Sequence, residues 1–153
     1  MIKFWQIGIL FLVVFFVMGW YFFGFNKLVY KKATVLINNQ EFKVDLSDDS
    51  IKRTKGLSGR ESLKENEGML FLFDSAGNYG FWMKDMKFPI DIIWINNDEI
   101  VDLSPNLNPE PDKSIFNLKV YYPQKPVDKV LEINSGLIEK YNIKIGDKIK
   151  IIF

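Results

Sequence analysis

The sequence predicts a mainly β chain with one or two short helices, an α+β domain curled as a compact antiparallel barrel or sandwich and preceded by one transmembrane helix. Three observations carry this. Short apolar runs recur between turn-forming clusters, with no regular β-α-β alternation of the kind a doubly wound parallel sheet requires. Only two stretches carry the cap and stop residues of a helix, and both are short. Ahead of all this, Phe4 to Phe25 contains no charge, and Gln6 is its one conventional polar side chain.

That first run, after a tail of residues 1–3, is long enough to cross a bilayer. A helix rises ~1.5 Å per residue, so the segment reaches roughly 33 Å against a hydrocarbon layer of ~30 Å. Trp5 stands near one end and Trp20 with Tyr21 near the other, as aromatic anchors do at the two interfaces. A cleaved signal peptide fits poorly, because the run ends in Trp20-Tyr21-Phe22-Phe23 with no small-x-small site. Without cysteine, no lipoprotein attachment is available. A single-pass signal anchor over 4–25 is expected, with the lipid bilayer as its partner. Lys27, Lys31 and Lys32 after the span, against Lys3 before it, favour a cytoplasmic domain by charge; the very short tail favours the opposite orientation.

Residues 26–32 form a juxtamembrane linker, and 33–153 are one domain's worth of chain. Ala33–Asn38 and Glu41–Leu46 read as strands joined through Asn38-Asn39-Gln40. Ser47 can cap a helix that begins at Asp48-Asp49, and Gly56 stops it. Leu57 to Asn66 is irregular, pinned by Leu57 and Leu63. Met69–Phe73 has the continuous apolar character of a buried strand, and Tyr79–Lys84 is expected to pair with it through the Asp74–Asn78 turn. Ile90–Asn96 and Glu99–Leu103 flank an Asn97-Asp98 turn. Pro105–Asn117 is a surface loop. Lys119–Tyr122 and Asp128–Asn134 are further strands, followed by a helix over Ser135–Tyr141 capped by Asn134 or Ser135. Lys148–Phe153 is the last strand, after a Gly146-Asp147 turn.

Composition removes several chemistries. Histidine and cysteine are both absent, which excludes Ser-His-Asp and Cys-His nucleophiles and the usual ligands of zinc. The 20 basic residues include Lys3, so the chain beyond the anchor carries 19 basic and 19 acidic residues. No basic stripe with interleaved aromatics points to nucleic acid. Asn106, Asn108, Glu110 and Asp112 alternate oxygens along a loop, but Pro109 and Pro111 interrupt them and no EF-hand glycine is present. No metal and no cofactor is expected.

Several pieces stand in order: Arg53-Thr54-Lys55-Gly56-Leu57, then Gly68-Met69-Leu70-Phe71-Leu72-Phe73, then Phe81-Trp82-Met83-Lys84-Asp85-Met86-Lys87-Phe88-Pro89-Ile90-Asp91-Ile92-Ile93. Val130-Leu131-Glu132-Ile133 with Gly136 and Ile145-Gly146-Asp147 follow. In these the chain resembles the domain-of-unknown-function 192 family of small membrane-tethered or exported prokaryotic proteins, over roughly Thr34 to Phe153. Asp85 departs from the Asn more usual there. The resemblance implies a compact β-rich fold and export, hence an extracytoplasmic domain. It brings no activity, substrate or cofactor.

Side-chain alternation picks out the residues that could carry chemistry. Asp91 shares a strand face with Ile93 and Ile95, and Glu132 lies opposite Leu131 and Ile133. Lys84 shares a face with Trp82; Arg53 and Arg60 are the chain's two arginines. A binding cleft of Arg53, Trp82, Lys84, Asp91 and Glu132 would let an aromatic stack on a ligand while the charges hydrogen-bond to it. The bland alternative pairs Lys84 or an arginine with Asp91 or Glu132 inside the fold. The functional reading is a membrane-anchored binding or accessory module, taking an envelope glycan or a protein partner. Two others stand beside it: a small envelope hydrolase using the Asp91 and Glu132 carboxylates, and a structural or assembly factor with no small ligand.

Overall fold

The structure, a computed structural model, describes residues 28–153. The tail and the expected membrane anchor lie outside the described residues. Among those described, no helix is long and apolar enough to cross a membrane.

Nine strands and two short α-helices follow in order. They are β1 (Lys32–Ile37), β2 (Gln40–Ser47), α1 (Ser50–Lys55), β3 (Glu67–Gly77), β4 (Phe81–Trp82), β5 (Ile90–Asn96) and β6 (Glu99–Leu107). A 3-10 turn (Ile115–Asn117), β7 (Val120–Tyr121), β8 (Val127–Asn134), α2 (Leu137–Lys140) and β9 (Ile149–Ile152) complete the domain. Seven strands form one sheet in the order β6-β5-β8-β3-β2-β1-β9. At one end its two edges are drawn together: Ile100 N donates to the Asp147 carbonyl at 2.9 Å and Ile149 N to the Asp98 carbonyl at 2.8 Å. The result is a curled half-barrel. Pairing is antiparallel except for β2 beside β3, which run parallel with α1 in the crossover between them.

The register divides the sheet into two faces. Leu46, Leu70, Leu131 and Ile93 stand in one cross-strand row, and Ser47, Phe71, Val130 and Trp94 in the next. Successive residues point to opposite sides of a sheet, so alternate rows feed different cores. The first joins Val35, Phe42 and Val44 under Leu137 and Ile138 of α2. The second joins Met69, Ile92 and Trp94 under Leu57, Phe81, Met83 and Met86. The long irregular segments between strands therefore cover the second face. Register places position 68 in the Val44–Ile133 row of the first face, and it is glycine because a Cβ there would stand 2.8 Å from the Glu132 carbonyl oxygen.

Three expectations are corrected. Tyr79–Lys84 does not pair with Met69–Phe73: β3 runs on to Gly77 with both edges taken by β2 and β8, so the two-residue β4 pairs with β7 instead. Ser47 does not cap α1, being the last residue of β2; Asp49 does, accepting from Lys52 N at 2.8 Å. Neither Asn134 nor Ser135 caps α2. Gly136, at φ 84°, precedes that helix, and its second amide donates to Asp91 from β5. The Asn38-Asn39 turn is as expected: both residues have positive φ, the conformation a two-residue hairpin needs.

Candidate functional site

Of the five residues expected to form one cleft, the structure brings three together. Arg53, Trp82 and Glu132 line a cleft of about 340 Å³ between α1 and β4. Its size is at the lower end of small-ligand pockets. Lys84 and Asp91 are elsewhere.

Asp91 is fully buried and belongs to the fold. Its Oδ1 accepts from Asn106 N at 2.8 Å and its Oδ2 from Ile138 N at 2.9 Å. One carboxylate thus ties β6 and the first turn of α2 to β5, supplying the cap that the chain before α2 does not. The register sets it apart from Glu132: Asp91 pairs with Ile133, and Glu132 with Ile92. Adjacent rows point to opposite faces, so the two carboxyls do not form the pair across one bond that a two-carboxylate hydrolase needs.

Lys84 is half exposed and pairs with Asp85 at 3.2 Å. Its carbonyl accepts from Ser58 Oγ at 2.7 Å, and the Asp85 carbonyl accepts from Gly59 N at 2.8 Å. This turn, with Asp85 at φ 54°, holds the 56–60 loop against β4 and sets one end of the cleft.

Arg53 projects from α1 across the end of β3. Its Nη1 donates to the Leu72 carbonyl at 2.7 Å, and its guanidinium lies 5.2 Å from the Phe73 ring centre. The aromatic wall continues from there. Phe73 stacks on Tyr79 with centres 3.6 Å apart; Phe81 meets Phe71 edge-on at 4.8 Å and Trp94 at 5.4 Å. Trp82 follows Phe81 with its ring partly in solvent, 42% exposed. Both rings line the cleft, Phe81 as a buried part of its wall and Trp82 open to solvent.

Glu132 is the unusual member. It is 4% exposed, in a row between Met69 and Ile92, and its Oε2 has no hydrogen-bond partner. Burial pushes its carboxyl up to about 8, against a smaller downward pull from Arg60. It is therefore mostly a neutral acid at pH 7, able to donate one hydrogen bond from the cleft lining. Arg60 is committed to Asp45, donating to Oδ2 at 2.7 Å while Lys32 binds Oδ1. Burial raises the Asp45 carboxyl, but these two hydrogen bonds outweigh it and leave the group below its ordinary value. Glu132 thus has a cation nearby but no ion pair.

Sequence reasoning does not place the aromatics Phe73, Tyr79 and Phe81 in the site. Phe73 is legible there only as a core strand residue, since β3's pairing and Tyr79's return over it are long-range facts. Among the described residues, no cluster of three or more acidic side chains is placed to hold a metal ion.

Comparison with known proteins agrees with this architecture. The Sinorhizobium meliloti 1021 crystal structure of a candidate transcription regulator superposes with a TM-score of 0.72 at 24% identity, covering 82% of this chain and 97% of that one. A Novosphingobium aromaticivorans protein of unknown function gives 0.69 at 30% identity, covering 82% and 88%. The UPF0127 protein PF1050 of Pyrococcus furiosus is 29% identical over 114 residues, 71% of this chain and 85% of that protein. The model of DUF192, described as an uncharacterised group, matches residues 33–151, and this chain belongs to that family.

Proposed function

We propose that this is a membrane-tethered, extracytoplasmic binding module whose ligand enters the cleft between α1 and β4. The observation that carries the binding reading is Glu132: a buried residue in the lining of an aromatic-walled cleft, one of whose carboxyl oxygens has no hydrogen-bond partner. Leaving such a group unsatisfied costs about 1–3 kcal/mol. A ligand that accepts its proton in a hydrogen bond recovers that cost on binding. The uncharged run Phe4 to Phe25 supports the tether, and the export implied by the family resemblance supports the outward orientation.

Trp82 offers a direct readout. The full chain, held in detergent micelles and labelled with 5-fluorotryptophan, gives one fluorine signal for each of its four tryptophans. Titration with soluble envelope glycan fragments, and separately with lipid, should move the Trp82 signal, assigned through Trp82→Phe. The buried Trp94 signal should respond less. A Trp82 signal that ignores both classes counts against a small ligand in this cleft. Orientation is read separately, by protease protection of the domain in sealed spheroplasts: cleavage from outside is expected, and protection would refute the outward placement.

A further inference from the structure

The cleft's position relative to the point of chain entry narrows the ligand class, given the tether proposed above. The apolar run ends at Phe25, and Lys31 follows six residues later. Fully extended, six residues span about 21 Å. The Lys31 carbonyl accepts from Leu46 N at 2.8 Å, and its Nζ lies 3.3 Å from Asp48, just before α1. The α1 wall of the cleft is thereby tied close to the bilayer surface. β3 runs parallel to β2 toward this same end, bringing Phe71 and Phe73 with it.

Apolar surface also gathers at the mouth. Trp82 is half exposed there, and Val120 and Tyr122, 39% and 60% exposed, stand against Gly80, where a Cβ would come within 3 Å of both. Ile51, 68% exposed, is on α1 outside the cleft lining. The polar capacity inside is small by contrast. Arg53 is engaged by the Leu72 carbonyl and the Phe73 ring, and Thr54 Oγ1 donates to the Ser50 carbonyl. A sugar ring, with a hydroxyl on nearly every carbon, would leave most of its groups unpaired here. A cationic head is disfavoured by Arg53 and Lys55 at the rim.

We propose that the cleft takes one acyl chain of a lipid from the bilayer to which the protein is tethered, the chain's ester carbonyl accepting a hydrogen bond from the Glu132 carboxyl. The aromatic wall of Phe73, Phe81 and Trp82 covers the chain, the glycerol and headgroup stand at the cleft mouth beside Arg53 and Lys55, and the second chain stays in the membrane.

The test uses the full chain in nanodiscs containing phosphatidylglycerol that carries a photoreactive diazirine in one acyl chain. After irradiation, labelled peptides are mapped by mass spectrometry. Label is expected both in residues 1–27 and in peptides containing Phe71 to Met86. An ether-linked probe of the same chain length lacks the carbonyl. It should label the cleft about fivefold less, the worth of one net hydrogen bond, and the anchor equally. Trp82→Ala, at a half-exposed position that leaves the core intact, should also reduce cleft labelling. Label confined to residues 1–27 overturns the lipid assignment and leaves the tether standing. Label in neither region overturns the tether, and the lipid assignment with it. Equal cleft labelling by ester and ether probes overturns the role given to Glu132.

Discussion

Glu132 makes the stability of this domain fall as pH rises, in a window where most acidic side chains have no effect. Its carboxyl titrates near 4.5 in the unfolded chain and about 8 in the folded one. Between those values the native state holds a proton that the unfolded state has released. Stability changes with pH in proportion to protons bound by the unfolded state minus those bound by the native state, and here that difference is negative. The stabilisation is therefore full below about pH 4.5, declines through the window, and is gone above about pH 8. Across the window each pH step of one is worth about 1.4 kcal/mol, so the total approaches 5 kcal/mol on an order-of-magnitude basis. The assay is urea unfolding of residues 28–153 at half-unit pH steps, followed by near-ultraviolet circular dichroism, for wild type and Glu132→Gln. Gln fills nearly the same volume and does not titrate. The wild-type curve should descend relative to the variant by several kcal/mol between pH 5 and 8. Parallel curves would refute the reasoning, because they would mean that Glu132 ionises in the native state at an ordinary pH. Arg60→Met extends the argument: it removes the one cation pulling the Glu132 carboxyl down, so the midpoint of the descent should move to higher pH.

Other perturbations test the remaining assignments. Asp91→Ala removes two hydrogen bonds to a buried carboxylate and should destabilise the domain by about 3–5 kcal/mol, with the Asn106 and Ile138 amides losing hydrogen-exchange protection first. Glu132→Leu replaces an unsatisfied polar group with an apolar one and should stabilise the ligand-free domain by about 1–3 kcal/mol at pH 7, read as a rise in melting temperature. Gly68→Ala pushes a methyl group against the Glu132 carbonyl and should cost about 1–3 kcal/mol in the same melting experiment. Asp85→Asn relieves a left-handed residue and gives up only an exposed ion pair, so its melting temperature should stay within the equivalent of about 0.5 kcal/mol of wild type.

Much of the β framework was legible because its signals are local. The Asn38-Asn39 hairpin, the Gly56 helix stop and the Ile90–Asn96 strand each rest on a few adjacent residues whose backbone preferences decide the outcome. The alternation in β5 placed Asp91 among Ile93 and Ile95, and that in β8 placed Glu132 opposite Leu131 and Ile133. Each strand was read correctly alone. What neither could state was the register between them, since hydrogen-bond pairing joins segments some forty residues apart and shifting it by one would reverse the faces. The tertiary structure made that choice, and with it divided the expected five-residue cleft. Asp91 went to the interior as a brace for α2, while Glu132 went to the opposite face beneath Arg53 and Trp82.

By itself, then, the sequence determined the succession of strands and turns, the absence of histidine and cysteine chemistry, and the family to which the chain belongs. Only the tertiary structure decided that β3 is flanked by β2 and β8 and not by its own sequence neighbour, that Tyr79 returns to stack on Phe73, and that one carboxyl is left buried without a partner. The physical reason is one of range. Backbone preference and alternation act over a few residues, whereas desolvation and hydrogen-bond satisfaction depend on every group that the folded chain brings near.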